Sequence, residues 1–162
     1  MGQLIDRFGA TGVKGEEGEK FMMSVLKSQG FDVRDYRTDL VVQSQGIDFG
    51  INKPSQRREF TLDVKNNLYI KDDYHAFKVE IERFTRAGWF YTSKADFIYH
   101  TNAYTGNYIY YNLNELRYYI TKQLIEKSAS EVFKLVNING DVLIQFQFSK
   151  GMEHNIPVSS LY

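Results

Sequence analysis

The chain has 162 residues, 43% apolar and 15% aromatic, with no cysteine and with twenty Lys plus Arg against twenty Asp plus Glu. That length supports one hydrophobic core and not two ordinary domains, and the composition is too apolar for a disordered chain. The absence of cysteine excludes a disulfide framework or a thiolate zinc site and fits a cytoplasmic protein, and the balanced charge excludes one that coats nucleic acid through bulk charge.

The opening stretch carries Gly2, Gly9, Gly12, Gly15 and Gly18 without a clear period. It reads as a flexible arm over about residues 1–14, with no apolar run of signal-peptide type. A helix is expected from Glu16 to Ser28, where Phe21, Met22, Met23, Val25 and Leu26 form a broad apolar stripe, acids crowd the first turn and Gly30 ends the run. Glu19 sits at the edge of that stripe, near Met23 and Leu26. Next, "FDVRDY", "GIDFGI" and "REFTLDVKN" read as three strands of a meander, with turn residues Asn52 to Ser55 between the second and third. "AFKVEIERF" alternates as a fourth strand, and "SKADFIYHTN" reads as a fifth, buried one. "NLNELRYYITKQLIEK" is expected to be a helix capped by Asn112 or Asn114. The tail predicts a hairpin over about residues 131–149, turning at Asn139-Gly140. No later stretch approaches the roughly 18 apolar residues that span a bilayer, so no membrane partner is expected. One domain over residues 1–162 is anticipated, α/β in class, with a central mixed β-sheet flanked by helices.

Asp63 and Lys65 stand two apart on the third strand and therefore share a face, while Leu62 and Val64 point into the core behind them. If the turn folds the strands together, Asp48 lies opposite Asp63, and two carboxylates that close repel unless a cation sits between them. Oxygen ligation without cysteine or clustered histidine suits Mg²⁺ or Mn²⁺. An acidic metal site beside a lysine suits phosphodiester hydrolysis: the metal polarises a phosphoryl oxygen and activates water, and the ammonium orients that water or offsets developing charge. The same residues also fit a solvated Asp63–Lys65 ion pair with Asp48 as a strand cap.

Asp48 followed by Asp63-Val64-Lys65, after a helix carrying Glu19 and before a further strand and helix, resembles the PD-(D/E)XK nuclease superfamily, the restriction-endonuclease-like fold, over about residues 15–125. Ile47 stands where the name-giving proline would be. The resemblance implies an α-β-β-β-α-β core and a Mg²⁺-dependent DNA endonuclease. In it Asp48, Asp63 and the Val64 carbonyl hold the metal, Lys65 assists the attacking water, and Glu19 matches the helix carboxylate of resolvase-like branches. The run "VEIERFTRAGWFYTSKADFIYH" is similar to phage-encoded nucleases of this class.

Glu80 is a possible additional acid. Lys53, Arg57 and Arg58 make the turn basic, which places them as DNA-binding candidates beside the site, and Lys94 is a further phosphate contact. His75, His100 and His154 lack metal-ligand spacing. One motif per chain cuts one strand per protomer, so concerted double-strand cleavage calls for a homodimer. The rival reading is a non-catalytic DNA-binding or interaction module on the same scaffold.

Overall fold

A computed structural model describes residues 2–67, 74–127, 134–138, 140–149 and 159–161. Helix α1 (Gly2–Ser28) begins at Gly2 and not near Glu16, so the stretch expected to be an arm is helical. Each helical glycine costs about 1 kcal/mol relative to alanine, so the glycines lower the local preference for helix without breaking it. Met22 and Leu26, one turn apart, are fully buried on the sheet. Gly18 also has a steric role: a Cβ there would stand 3.1 Å from Thr101 Cγ2, so glycine lets the helix lie close to the sheet. At the far end Gly30 takes φ +83°, with its N–H donating to Lys27 O and Phe31 N–H donating to Leu26 O. This is the paired closure a C-terminal glycine favours.

The remaining elements are β1 (Asp32–Asp35), α2 (Leu40–Gln43), β2 (Phe49–Asn52), β3 (Phe60–Asn66), β4 (Tyr74–Arg83), β5 (Arg86–Ala87), α3 (Trp89–Thr92), β6 (Phe97–Asn102), β7 (Asn107–Asn112), α4 (Leu113–Glu126), β8 (Lys134–Ile138), β9 (Asp141–Ser149) and β10 (Ser159–Leu161). Asn112 caps α4 by accepting from Glu115 N–H. The expected C-terminal hairpin is present as β8 and β9, paired down to Ile138 and Asp141; Asn139 and residues 131–133 lie outside the described residues.

The strands form two sheets. The larger is mixed, in the order β1-β2-β3-β6-β7-β10, with β3 and β6 parallel and the other pairs antiparallel. The second, β5-β4-β9-β8, is antiparallel. The sequence reading of a mixed α/β fold with helices against a mixed sheet therefore holds in outline. The order α-β-β-β-α-β does not appear as such: the connection from β3 to β6 runs through β4, β5 and the four-residue α3. Parallel neighbours need a long crossover, and here it carries strands as well as a short helix, because β4 finds its partner in β9 far along the chain.

Two cores result, one on each face of the mixed sheet. Met22 and Leu26 of α1 pack on Phe49, Ile51, Leu62 and Val64. On the other face Phe77, Val79, Ile144 and Phe146 of the second sheet, with Leu116 and Ile120 of α4, pack on Ile98, Ile109 and Tyr111. No helix among the described residues is long and apolar enough to cross a membrane.

Candidate metal and phosphodiester site

Strand β2 pairs with β3 from Phe49–Leu62 to Ile51–Phe60 and then leaves it. The last backbone bond is Asp48 N–H to Leu62 O at 2.8 Å. At the next position the side chain takes over, and Asp48 Oδ2 accepts from Val64 N–H at 2.8 Å. A strand residue turns its N–H and C=O toward the same neighbour, so the Val64 carbonyl also faces the Asp48 side.

Because Leu62 and Val64 are buried toward α1, Asp63 and Lys65 project to the opposite face. The structure thus brings Asp48, Asp63, Val64 and Lys65 together at the parting of two strands. Asp48 and Asp63 are 9% and 3% exposed. Lys65 Nζ lies 2.9 Å from Asp63 Oδ2, yet that buried oxygen accepts no hydrogen bond. The contact is an ion pair whose ammonium stands off the hydrogen-bonding direction, which leaves Asp63 with an unused lone pair.

The electrostatics follow from the burial. The Asp48 carboxyl is pushed up to about 7, first by burial and next by the charge of Asp63, while the Val64 N–H and the Lys65 ammonium pull the other way. Two buried carboxylates, one of them ion-paired with Lys65, and a carbonyl facing the same side make an oxygen-donor set that fits a small divalent cation. Among the described residues, however, no three His, Asp or Glu side chains gather around one point. A cation here would draw on two carboxylates, the backbone carbonyl and water.

Glu19 borders the site closely enough to raise the Asp48 carboxyl, but its own carboxylate faces Arg37. Arg37 Nη1 is 3.3 Å from Glu19 Oε2, Nη2 is 2.7 Å from Asp35 Oδ2, and the guanidinium lies 5.2 Å from the centre of the Phe49 ring. Glu80 accepts from the Trp89 N–H at 3.3 Å and so fastens the start of α3 to β4. Neither of these acids is brought into a shared set with both aspartates.

The basic turn is not beside the site. Lys53, Arg57 and Arg58 lie at the closed end of the β2–β3 hairpin, roughly 15 to 20 Å along it at about 3.3 Å per residue, while the aspartates sit at its open end. Arg58 is paired with Asp96 at 3.2 Å. A hairpin folds its turn away from the strand ends that part, and adjacency in sequence hid this. Lys94 is exposed, and its N–H donates to Gln45 O just ahead of Asp48.

Trp89 and His100 beside Lys65, and Tyr111 beside Asp63, were given no role in the site by the sequence. The ammonium lies 5.3 Å from the centre of the Trp89 ring, a cation–π distance. His100, in register with Lys65 on β6, is buried, and its Nε2 is 2.9 Å from Tyr111 Oη. Burial, aided by Lys65, pushes His100 down to about 3, which favours the neutral imidazole at physiological pH. Burial and then the Asp63 charge raise the Tyr111 hydroxyl well above its ordinary value. Alternation in "FIYHTN" places His100 on the face of Ile98, but which strand lies opposite required the fold.

Comparison with protein-family models, curated proteins and solved structures finds no match.

Proposed function

We propose that this chain is a Mg²⁺-dependent DNA endonuclease of the PD-(D/E)XK type, with Mn²⁺ as a substitute ion. The observation that carries the reading is the buried Asp48–Asp63 pair beside Lys65, with Asp63 Oδ2 lacking a hydrogen bond and the Val64 carbonyl facing the same gap. The succession α1-β1-β2-β3, followed by a parallel β3–β6 pair, supports a restriction-endonuclease-like core in which β4, β5 and α3 stand in for the crossover helix.

Asp48, Asp63 and the Val64 carbonyl would hold the cation, which when bound polarises a phosphoryl oxygen and acidifies a coordinated water. Val64 N–H fixes the rotation of the Asp48 carboxylate. Lys65 orients the attacking water and offsets charge building on the phosphorus oxygens. Trp89 supports the ammonium from one side, and the buried pair of His100 and Tyr111 keeps bulk water from reaching it from behind. Glu19, the helix carboxylate of the resemblance, is held by Arg37 and raises the Asp48 carboxyl through its own charge. Lys94, whose N–H bonds to Gln45 O three residues ahead of Asp48, is the phosphate contact on the site's side, and the turn of Lys53, Arg57 and Arg58 would meet the backbone farther along.

Supercoiled plasmid incubated with purified protein and Mg²⁺, then with EDTA, tests the reading. Metal-dependent nicking is expected. Plasmid retained without cutting would make the chain a binding module.

A further inference from the structure

The turn between β4 and β5 breaks two local rules at once. Arg83 pairs directly with Arg86, so the connection is Phe84-Thr85 alone. Both residues have positive φ, 46° and 66°. A two-residue turn of that hand is ordinarily filled by Asn-Gly, because a bulky side chain and a β-branched one are each strained there. The residues that close the turn are two arginines directly across from each other, an arrangement that costs stability through like-charge repulsion.

Among the described residues little packs against the tip in return. Phe84 is 61% exposed, and its ring lies near Gly140, where a Cβ would stand 3.2 Å from Phe84 Cδ1. Arg83, Thr85 and Arg86 are also exposed. Among the described residues Asp141 stands opposite Arg83, while Glu82 alternates to the other face. A site where local preference is defied without a packing gain points to function. The tip presents one exposed aromatic ring between two cations, which is the composition of side chains that enter a base step while arginines hold the neighbouring phosphates.

The tip is also mechanically joined to the candidate site. A bulge between Glu80 and Glu82 bends β4 just before it. The chain returns through β5 to Gly88, whose N–H donates to Ile81 O and where a Cβ would collide with the Glu80 carbonyl. Trp89 follows directly and lies against Lys65. Four residues of extended chain place the tip about 13 Å beyond Gly88, hence roughly 15 to 20 Å from Lys65, or about five base steps at 3.4 Å each.

We propose that the Phe84–Thr85 tip is a wedge that enters the base stack of duplex DNA, with Arg83 and Arg86 on the flanking phosphates, about five base steps from the bond presented to Lys65. The choice of duplex DNA as occupant rests on the nuclease reading; the wedge geometry does not. The test uses the full chain, short duplexes carrying 2-aminopurine at successive positions, and Ca²⁺ in place of Mg²⁺. Wild type is expected to raise 2-aminopurine emission at one step. The double substitution Phe84→Asn/Thr85→Gly is expected to melt at a higher temperature than wild type, to bind duplex about ten-fold or more weaker, and to lose the emission change. A doubly substituted protein that melts lower than wild type, or that binds and unstacks as wild type does, overturns the wedge, as does a wild type that binds no duplex. Plasmid nicking without any unstacking would remove the wedge and leave the nuclease. Phe84-dependent unstacking by a protein that never nicks would do the reverse.

Discussion

Replacing Asp63 by asparagine should stabilise the metal-free protein, and only where Asp48 is ionised. Asp48 rises from 3.8 to about 7 on folding, chiefly through burial and then through Asp63. Its folded value lies above its unfolded one, so the native state binds the extra proton and wild-type stability falls as pH rises from about 4 to about 7. At 1.36 kcal/mol per pH unit the whole effect is on the order of 4 kcal/mol, of which Asp63 supplies the smaller part. Residues directly opposite across a strand pair stand about 5 Å apart, and unit charges there repel by about 1 to 3 kcal/mol for effective dielectric constants between water and a protein surface. The variant also gives up the 2.9 Å contact with Lys65. The net gain at pH 8 should therefore be about 1 kcal/mol, or roughly 2 to 4 °C in melting temperature for a domain of this size. Near pH 4.5, with Asp48 protonated in the native state, the gain should vanish or reverse. Melting curves in EDTA at both pH values read this directly. A variant less stable than wild type at pH 8, or one with the same gain at both pH values, would make Asp63 a structural partner of Lys65 and refute the repulsion.

Lys65→Ala should cut nicking by about 100-fold or more while duplex binding stays within a few fold, since the ammonium acts at the developing charge and is one cation among several; wild-type turnover would remove it from the mechanism. Ca²⁺ should support binding but not brisk cleavage, which plasmid gels and filter binding separate. Glu80→Gln, which keeps an acceptor for the Trp89 N–H, should lose no more than about three-fold in nicking, whereas Glu80→Ala and Trp89→Leu should each lose about ten-fold or more through a misplaced Lys65. Inactivity of Glu80→Gln would mean its charge is required at the metal. Sedimentation should find a two-fold dimer when both strands of a duplex are cut in one encounter, and a monomer doing so would exclude it.

Much of the site was legible because it is local. Strand alternation alone places Asp63 with Lys65 and opposite Leu62 and Val64, and folding β2 back on β3 through the loop of residues 53–59 brings Asp48 level with Asp63. The cap at Asn112 and the glycine closure at Gly30 could be read the same way, since each depends on a few neighbouring residues. What could not be read depends on distant chain or on direction. Strand β4 was visible in "AFKVEIERF", but its pairing with β9, and hence the second sheet over the Asp63 face, joins segments some sixty residues apart. Trp89 reaches Lys65 only through the segment that follows that sheet's β4 and β5, and His100 only through the parallel pairing of β3 with β6. Glu19 met the pattern of a helix carboxylate, while Arg37, lying just past β1, gave no sign that it would face it. The early glycines suggested flexibility because their cost is local, and the close approach of Gly18 to Thr101 that rewards one of them is not.

A crystal of the wild-type chain grown with Mn²⁺, located by its anomalous signal, tests the central claim most directly. The account predicts one ion held by Asp48, Asp63 and the Val64 carbonyl at about 2.1 Å, with Lys65 beside it and Glu19 still on Arg37. An Asp63–Lys65 contact that excludes the ion, or an ion bound elsewhere while this pair of carboxylates stays as it is, would contradict it.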